Sequence, residues 1–286
     1  MVDLKGQYQK IEARVKESIV DILDTTSFIN GPQVKSFQKN LEDYLDVKHV
    51  IPCANGTDAL QIALMGLGLK PGDEVITADF TFAATVEVIS LLGLTPVLVD
   101  VDLKTFNIDL DALKKAITPR SKAIIPVHLF GQAAPMEEIL SIAKENKLFV
   151  VEDNAQSIGA NYTFSDGSKM KTGTIGELGT TSFFPSKNLG AYGDGGAITT
   201  NDRDLATQCR KIANHGRVAK YDHDFEGRNS RLDSLQAAIL SVKLRYLDDW
   251  IAKRIKIANK YLLELVGVGD IILPVRKKWA KQAFHL

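Results

Sequence analysis

The stretch "SFFPSKNLGAYGDGGAI", residues 182–198, decides how this chain is read. Ser182 lies in a short apolar run that gives out just before a single lysine, Lys187, and "GAYGDGGAI" then returns the chain through glycines into a second apolar run. A lysine is ordinarily a solvated surface residue. An amine held in a partly desolvated pocket has a lowered pKa instead, which makes it a nucleophile towards carbonyls and a carrier of protons.

Outward from this stretch, β-branched runs alternate with helical patterns. The expected strands are "HVIPC" (49–53), "EVITA" (74–78), "TPVLVDV" (95–101), "KAIIPVH" (122–128), "LFVVED" (148–153), "TTSFF" (180–184) and "GAITT" (196–200). Between them, Leu60, Ala63, Leu64 and Leu67 share one helical face, as do Leu232, Leu235, Ile239, Val242 and Tyr246. Strands that alternate with helices imply an α/β fold, a mostly parallel sheet between helices. Ligands of such sheets bind at the carboxyl ends of the strands. Residues 1–45 read as two helices joined at "INGPQV", with Pro32 in the first turn of the second. The glycines and Pro274 of "LELVGVGDIILP" mark a boundary after the last long helix.

The chain has 286 residues, 45% of them hydrophobic, enough for one large or two smaller domains. Its 35 basic and 35 acidic side chains cancel, so the basic footprint of a nucleic-acid binder is missing. No apolar run reaches the ~18–20 residues that span a bilayer, and "MVDLKGQYQKIEARVKESI" is too polar for a secretory signal. A cytoplasmic protein is expected, with neither nucleic acid nor membrane as partner. Cys53 and Cys209 lack CxxC spacing and read as buried free thiols. His128, His215 and His223 show no metal spacing, so no metal site is expected. HExxH, G-x-S-x-G, Walker and GxGxxG motifs are all missing, which leaves metal hydrolase, serine hydrolase and nicotinamide dehydrogenase readings without their parts.

Three further segments sit at strand ends. Asp153 closes "LFVVED" and is followed by Asn154, Ala155 and Gln156; it reads as a helix cap or as a carboxylate aimed into a site. In "CANGTDALQIALMGL", Asn55, Gly56 and Thr57 open a helix directly after a strand, where free N–H groups and the helix dipole attract an anion. In "ADFTFAAT", Phe80 and Phe82 follow a strand; each is a core residue, or a ring for a flat ligand to lie on.

Together, "NGTDAL", "PGDEVIT", "FTFAAT", "VEDNAQSIGA", "TSFFPSKNLGAYGDGGAI", "NHG" and "NSRLDSLQAAIL", in this order over residues 52–240, resemble the pyridoxal-phosphate-dependent nucleotide-sugar aminotransferases of the DegT and StrS type. The resemblance implies the aspartate aminotransferase fold with a seven-stranded sheet. Lys187 would carry the cofactor covalently, Asp153 would pair with its pyridine nitrogen, Gln156 would lie by its phenolic oxygen and Phe82 would stack on the ring. Gly56, Thr57 and Ser182 would hold the phosphate, joined by Asn229 from the neighbouring subunit of a homodimer. L-Glutamate would be the amino donor, leaving pyridoxamine 5'-phosphate, and a keto-sugar on a nucleotide diphosphate the acceptor. "FFPSKNLGAYGDGGAI" and "GRNSRLDSLQAAIL" look like the branch that aminates carbon 3 of a UDP-linked 2-acetamido-3-keto-glucuronic acid for O-antigen and other surface polysaccharide. Arg231 is then either a contact to that anionic substrate or part of a structural salt bridge.

By the same resemblance, residues 1–45 are an N-terminal helical arm and 46–247 the cofactor-binding large domain, while 248–286 begin a truncated C-terminal small domain. Relatives continue for roughly 80 to 100 residues more, the size of a small compact domain. An idle cofactor-binding homologue is therefore an alternative. So is a sugar 3-dehydratase of the same fold, although that type has histidine where Lys187 stands.

Overall fold

Seven β-branched runs form one sheet, for the reason the sequence suggests: such residues suit an extended chain buried on both faces. The computed structural model describes residues 2–286. Its strands are β1 (His49–Cys53), β2 (Glu74–Ala78), β3 (Thr95–Val99), β4 (Ser121–Ile125), β5 (Phe149–Asp153), β6 (Asn161–Thr163), β7 (Lys169–Lys171), β8 (Leu178–Ser182), β9 (Gly196–Thr200) and β10 (Ala280–Lys281). The large sheet has the order β1-β9-β8-β5-β4-β2-β3. Only β9 runs against its neighbours, so the sheet is mostly parallel. A small sheet, β10-β6-β7, was not expected.

Four strands depart from the expected bounds: β3 ends two residues early and β5 begins one residue late, and β4 and β8 shift for visible reasons. β4 stops at Ile125 because Pro126 has no N–H to continue the ladder, although its carbonyl still accepts from Asp153 N at 2.9 Å. β8 begins and ends two residues earlier than "TTSFF". Phe183 leaves it to pack edge-on against Phe37, with centroids 5.4 Å apart, and Phe184 turns outward.

The helices are α1 (Leu4–Gln9), α2 (Glu12–Thr25), α3 (Pro32–Leu45), α4 (Gly56–Gly66), α5 (Ala83–Leu91), α6 (Leu110–Ala116), α7 (Met136–Asn146), α8 (Arg203–Ile212), α9 (Ser234–Leu244) and α10 (Leu247–Glu264). Alternate side chains of a strand point to opposite faces, and this divides the core. Val75 and Val151 pack with α4, α5 and α8, whereas Ile76 and Val150 pack with α6 and α7. The first expected helix is broken at Lys10 and Ile11 into α1 and α2, and Pro32 opens α3. Val34, Phe37, Leu41 and Leu45 line the buried face of α3. Each such large side chain contributes about 1.5–3 kcal/mol on burial. α9 is held between α3 and α2, with Leu240 in one cluster and Ile239 and Val242 in the other. Cys53 and Cys209 are buried free thiols, and burial pushes Cys209 up to about 12. Among the described residues, no helix is long and apolar enough to cross a membrane.

Candidate active site

The carboxyl ends of β2, β4, β5 and β8 and the start of α4 enclose a cavity of about 430 Å³. Of the residues singled out in the sequence, Gly56, Thr57, Phe82, Asp153, Gln156, Ser182 and Lys187 all line it. Parallel strands bring their carboxyl ends to one edge, so residues scattered over 130 positions meet there.

One end of the cavity suits an anion. Asn55 caps α4 by accepting from Asp58 N–H at 2.7 Å, and Gly56 and Thr57 form the first turn, whose N–H groups have no partner within a helix. Glycine is required here by close approach: a Cβ on Gly56 would sit 2.6 Å from Cβ of Ser182.

Asp153 closes β5, almost fully buried, and its carboxylate accepts from Thr85 Oγ1 at 2.8 Å and Ala155 N at 3.1 Å. Lys187 sits in the loop after β8, half-buried. Burial pushes its amine below the ordinary lysine range, opposed in part by the charge of Asp153. Oε1 of Gln156 accepts from Phe130 N at 2.7 Å, which leaves its amide N–H groups for a ligand. Phe82 caps α5 and is 70% exposed, so it is a wall of the cavity and not a core residue.

Asn229 and Arg231 lie elsewhere. Asn229 bridges Asn214, and Arg231 donates to Asn214 Oδ1 at 3.5 Å beside a second cavity of about 270 Å³. Neither lines the first cavity.

The sequence reading missed four participants. Thr85 follows Phe82 by one helical turn, a spacing that could have been noticed. His128 and Glu152 form a fully buried pair 2.7 Å apart behind Asp153, and only the acidic doublet at 152–153 hinted at it. His285 lines the cavity with no local signal at all; burial and the positive charges of Lys187 and Arg254 push its imidazole down to about 4.

This donor set fits pyridoxal phosphate. A helix N-terminus with a serine suits the phosphate, an exposed ring suits a flat heterocycle, a buried carboxylate suits a protonated ring nitrogen, and a desolvated amine suits an aldehyde. A parallel α/β sheet with a lysine amine and a carboxylate at one strand-end cavity defines a cofactor-dependent group-transfer enzyme.

Comparison with known proteins specifies the class. Residues 9–286 match the DegT/DnrJ/EryC1/StrS aminotransferase family, and the chain belongs to it. It is 49% identical over 276 residues to the UDP-2-acetamido-2-deoxy-3-oxo-D-glucuronate aminotransferase of Pseudomonas aeruginosa, covering 96% of this chain and 76% of that one. It is also 49% identical over 278 residues to a "pleiotropic regulatory protein" of Geobacillus stearothermophilus, covering 96% and 72%. A dTDP-3-amino-3,4,6-trideoxy-alpha-D-glucose transaminase of Streptomyces venezuelae is 39% identical over 285 residues, covering 100% and 74%. The crystal structure of NtdA from Bacillus subtilis, with bound pyridoxamine phosphate, superposes with a TM-score of 0.87 at 37% identity, covering 96% of this chain and 62% of that one. The protein is thus a pyridoxal-phosphate-dependent sugar aminotransferase.

Proposed function

We propose that this aminotransferase moves an amino group from L-glutamate to carbon 3 of a UDP-linked 2-acetamido-3-keto-hexuronic acid, a step towards O-antigen or another surface polysaccharide. The sharing of one cavity by Lys187, Asp153 and the first turn of α4 carries the amino-transfer part. The choice of sugar is supported by 49% identity to the UDP-sugar enzyme, against 39% and 43% to two dTDP-sugar enzymes. The reading places the protein in the cytoplasm.

When bound, pyridoxal phosphate supplies an aldehyde and an electron-withdrawing ring. Gly56 and Thr57 N–H and the Ser182 hydroxyl would hold its phosphate, and Phe82 would offer its ring as a flat apolar surface. The carboxylate of Asp153 would stabilise positive charge on the ring nitrogen, and the amide N–H of Gln156 would donate to the phenolic oxygen. Nζ of Lys187, whose pKa burial lowers, would take a proton from the α-carbon of glutamate and later return one to the sugar's carbon.

We read residues 1–45 as an arm, 46–247 as the large domain and 248–286 as the opening part of a small domain. The same reading makes the protein a homodimer in which Asn229 and Arg231 serve the cavity of the other subunit. Neither residue lines the cavity of its own chain, which supports this.

The test is a single-turnover assay. Purified protein with pyridoxal phosphate should release 2-oxoglutarate from glutamate as the visible band bleaches, and Lys187→Ala should do neither. The aminated form should then be discharged by the UDP-linked 3-keto-uronic acid faster than by a dTDP-linked keto-sugar; the reverse preference would reassign the substrate. A regulatory, catalytically idle protein is the second reading, favoured by the equal identity to the Geobacillus regulator. It predicts cofactor binding without 2-oxoglutarate.

A further inference from the structure

Asp153 is tied to a part of the fold that is not its neighbour in the sheet. It closes β5, whereas Thr85 lies in the first turn of α5, the helix that follows β2. β4 stands between β2 and β5, so no ladder bond joins those two strands. Their spacing is about 9–10 Å. Across that gap Thr85 Oγ1 lies 2.8 Å from Oδ2 of Asp153, and Thr81 Oγ1 lies 3.0 Å from Thr85 Oγ1.

The direction of these bonds is forced. An ionised carboxylate can only accept, so the one O–H of Thr85 donates to Asp153. The hydroxyl of Thr81 must then be the donor to Thr85. Thr85 is fully buried, and Thr81 lines the cavity. With Ala155 N–H on Oδ1, the protein occupies two of the roughly four acceptor positions of the carboxylate and leaves the rest to a ligand.

The same helical turn carries Phe82. The N–H of Thr85 donates to the carbonyl of Phe82 at 3.1 Å, and the Phe82 ring faces the cavity as the cap of α5. We infer that Thr85, oriented by Thr81, is a positioning residue for the cofactor: it holds Asp153 in register with Phe82, so that one turn of α5 sets both the partner of the ring nitrogen and the surface beneath the ring. This rests on the reading of Asp153 as that partner. A hydrogen bond to an ionised acceptor is strong as well as directional, so its loss affects the placement of the carboxylate.

The alternative is that Thr85 only satisfies a buried hydroxyl. Valine is nearly isosteric, and under that alternative Thr85→Val alters stability and nothing else. The experiment compares wild type, Thr85→Val, Thr85→Ser, Thr81→Val and Asp153→Asn as apoproteins, by thermal midpoint, pyridoxal phosphate dissociation constant and the visible absorbance of the bound cofactor. Thr85→Val should weaken cofactor binding about tenfold, as expected for one charge-assisted bond, and displace the absorbance band. Thr85→Ser, which keeps the hydroxyl, should recover most of the loss. Thr81→Val should show a smaller loss in the same direction, and it carries the test if Thr85→Val does not fold. Wild-type affinity and spectrum in Thr85→Val, or in Thr81→Val where only that variant folds, overturn the inference when Asp153→Asn loses both. If Asp153→Asn also binds and absorbs as wild type, the role given to Asp153 is what fails.

Discussion

Nε2 of His128 lies 2.7 Å from Oε2 of Glu152, and both side chains are fully buried one residue behind Asp153. Nδ1 of His128 accepts from Ala134 N–H at 3.1 Å, so the ring proton is on Nε2 and points at the carboxylate. Glu152 also accepts from the N–H groups of Gly173, Ile175 and Gly176 at 2.6–2.8 Å. Neighbours in a strand face opposite ways, and the satisfied carboxylate of Glu152 anchors the strand whose other face presents Asp153.

Glu152→Ala should therefore cost about 3–5 kcal/mol, because it leaves several buried donors without an acceptor. Glu152→Gln keeps one oxygen and should cost less, about 1–3 kcal/mol. Urea denaturation of the two variants checks the order. Equal stability to wild type would show that the 173–176 loop finds other partners.

Gly56→Ala should damage the phosphate end of the cavity. Its new methyl would meet Ser182 at 2.6 Å, so α4 or β8 must shift. Overpacking of this kind costs about 1–3 kcal/mol. Cofactor affinity should drop by more than the stability loss explains, which a titration of the apoprotein alongside a thermal melt will read.

The rate of cofactor uptake by the apoprotein should rise with pH and then level off. Only the uncharged amine of Lys187 attacks an aldehyde, and burial brings its deprotonation below the ordinary lysine range. Asp153 opposes that shift, so Asp153→Asn should move the midpoint of the rise to lower pH. Stopped-flow absorbance would detect this, and a midpoint that stays in place or rises would contradict it.

Lys243 gives a stability signature. It is buried in α9 with Nζ donating to the carbonyl of Gly190, in the loop that carries Lys187, and burial pushes it down to about 8. Between pH 8 and the unfolded value of 10.5 the unfolded chain binds a proton that the folded one does not, so this group raises stability as pH rises through that window. The gain is on the order of 3 kcal/mol. Lys243→Met should flatten this part of the stability profile relative to wild type, measured by urea melts at pH 7.5 and 10.5. An unchanged slope would refute the shift.

The large sheet was legible because its strands are runs such as "EVITA" and "GAITT", buried along their whole length. β6, β7 and β10 were not legible, since strands of two or three residues such as "NYT" show no periodicity. Gly56, Thr57, Phe82 and Asp153 were legible because each stands at a strand end or helix start, and Lys187 because of the apolar and glycine-rich runs around it, whereas Gln156 and Ser182 came only from the family resemblance. His285 was not legible, because it reaches the cavity from a segment with no such signal.

What the sequence determined by itself was local: which runs extend, which residues open helices, and that Lys187, Asp153 and Gly56 stand where a parallel sheet presents its carboxyl ends. What only the tertiary structure decided were the bonds between segments remote in sequence. Thr85 reaches Asp153 over 68 positions, His128 reaches Glu152 over 24, and Asn229 and Arg231 fall outside the cavity. Such pairings follow from strand order and from the way each helix lies across the sheet, and no local spacing of residue types encodes either.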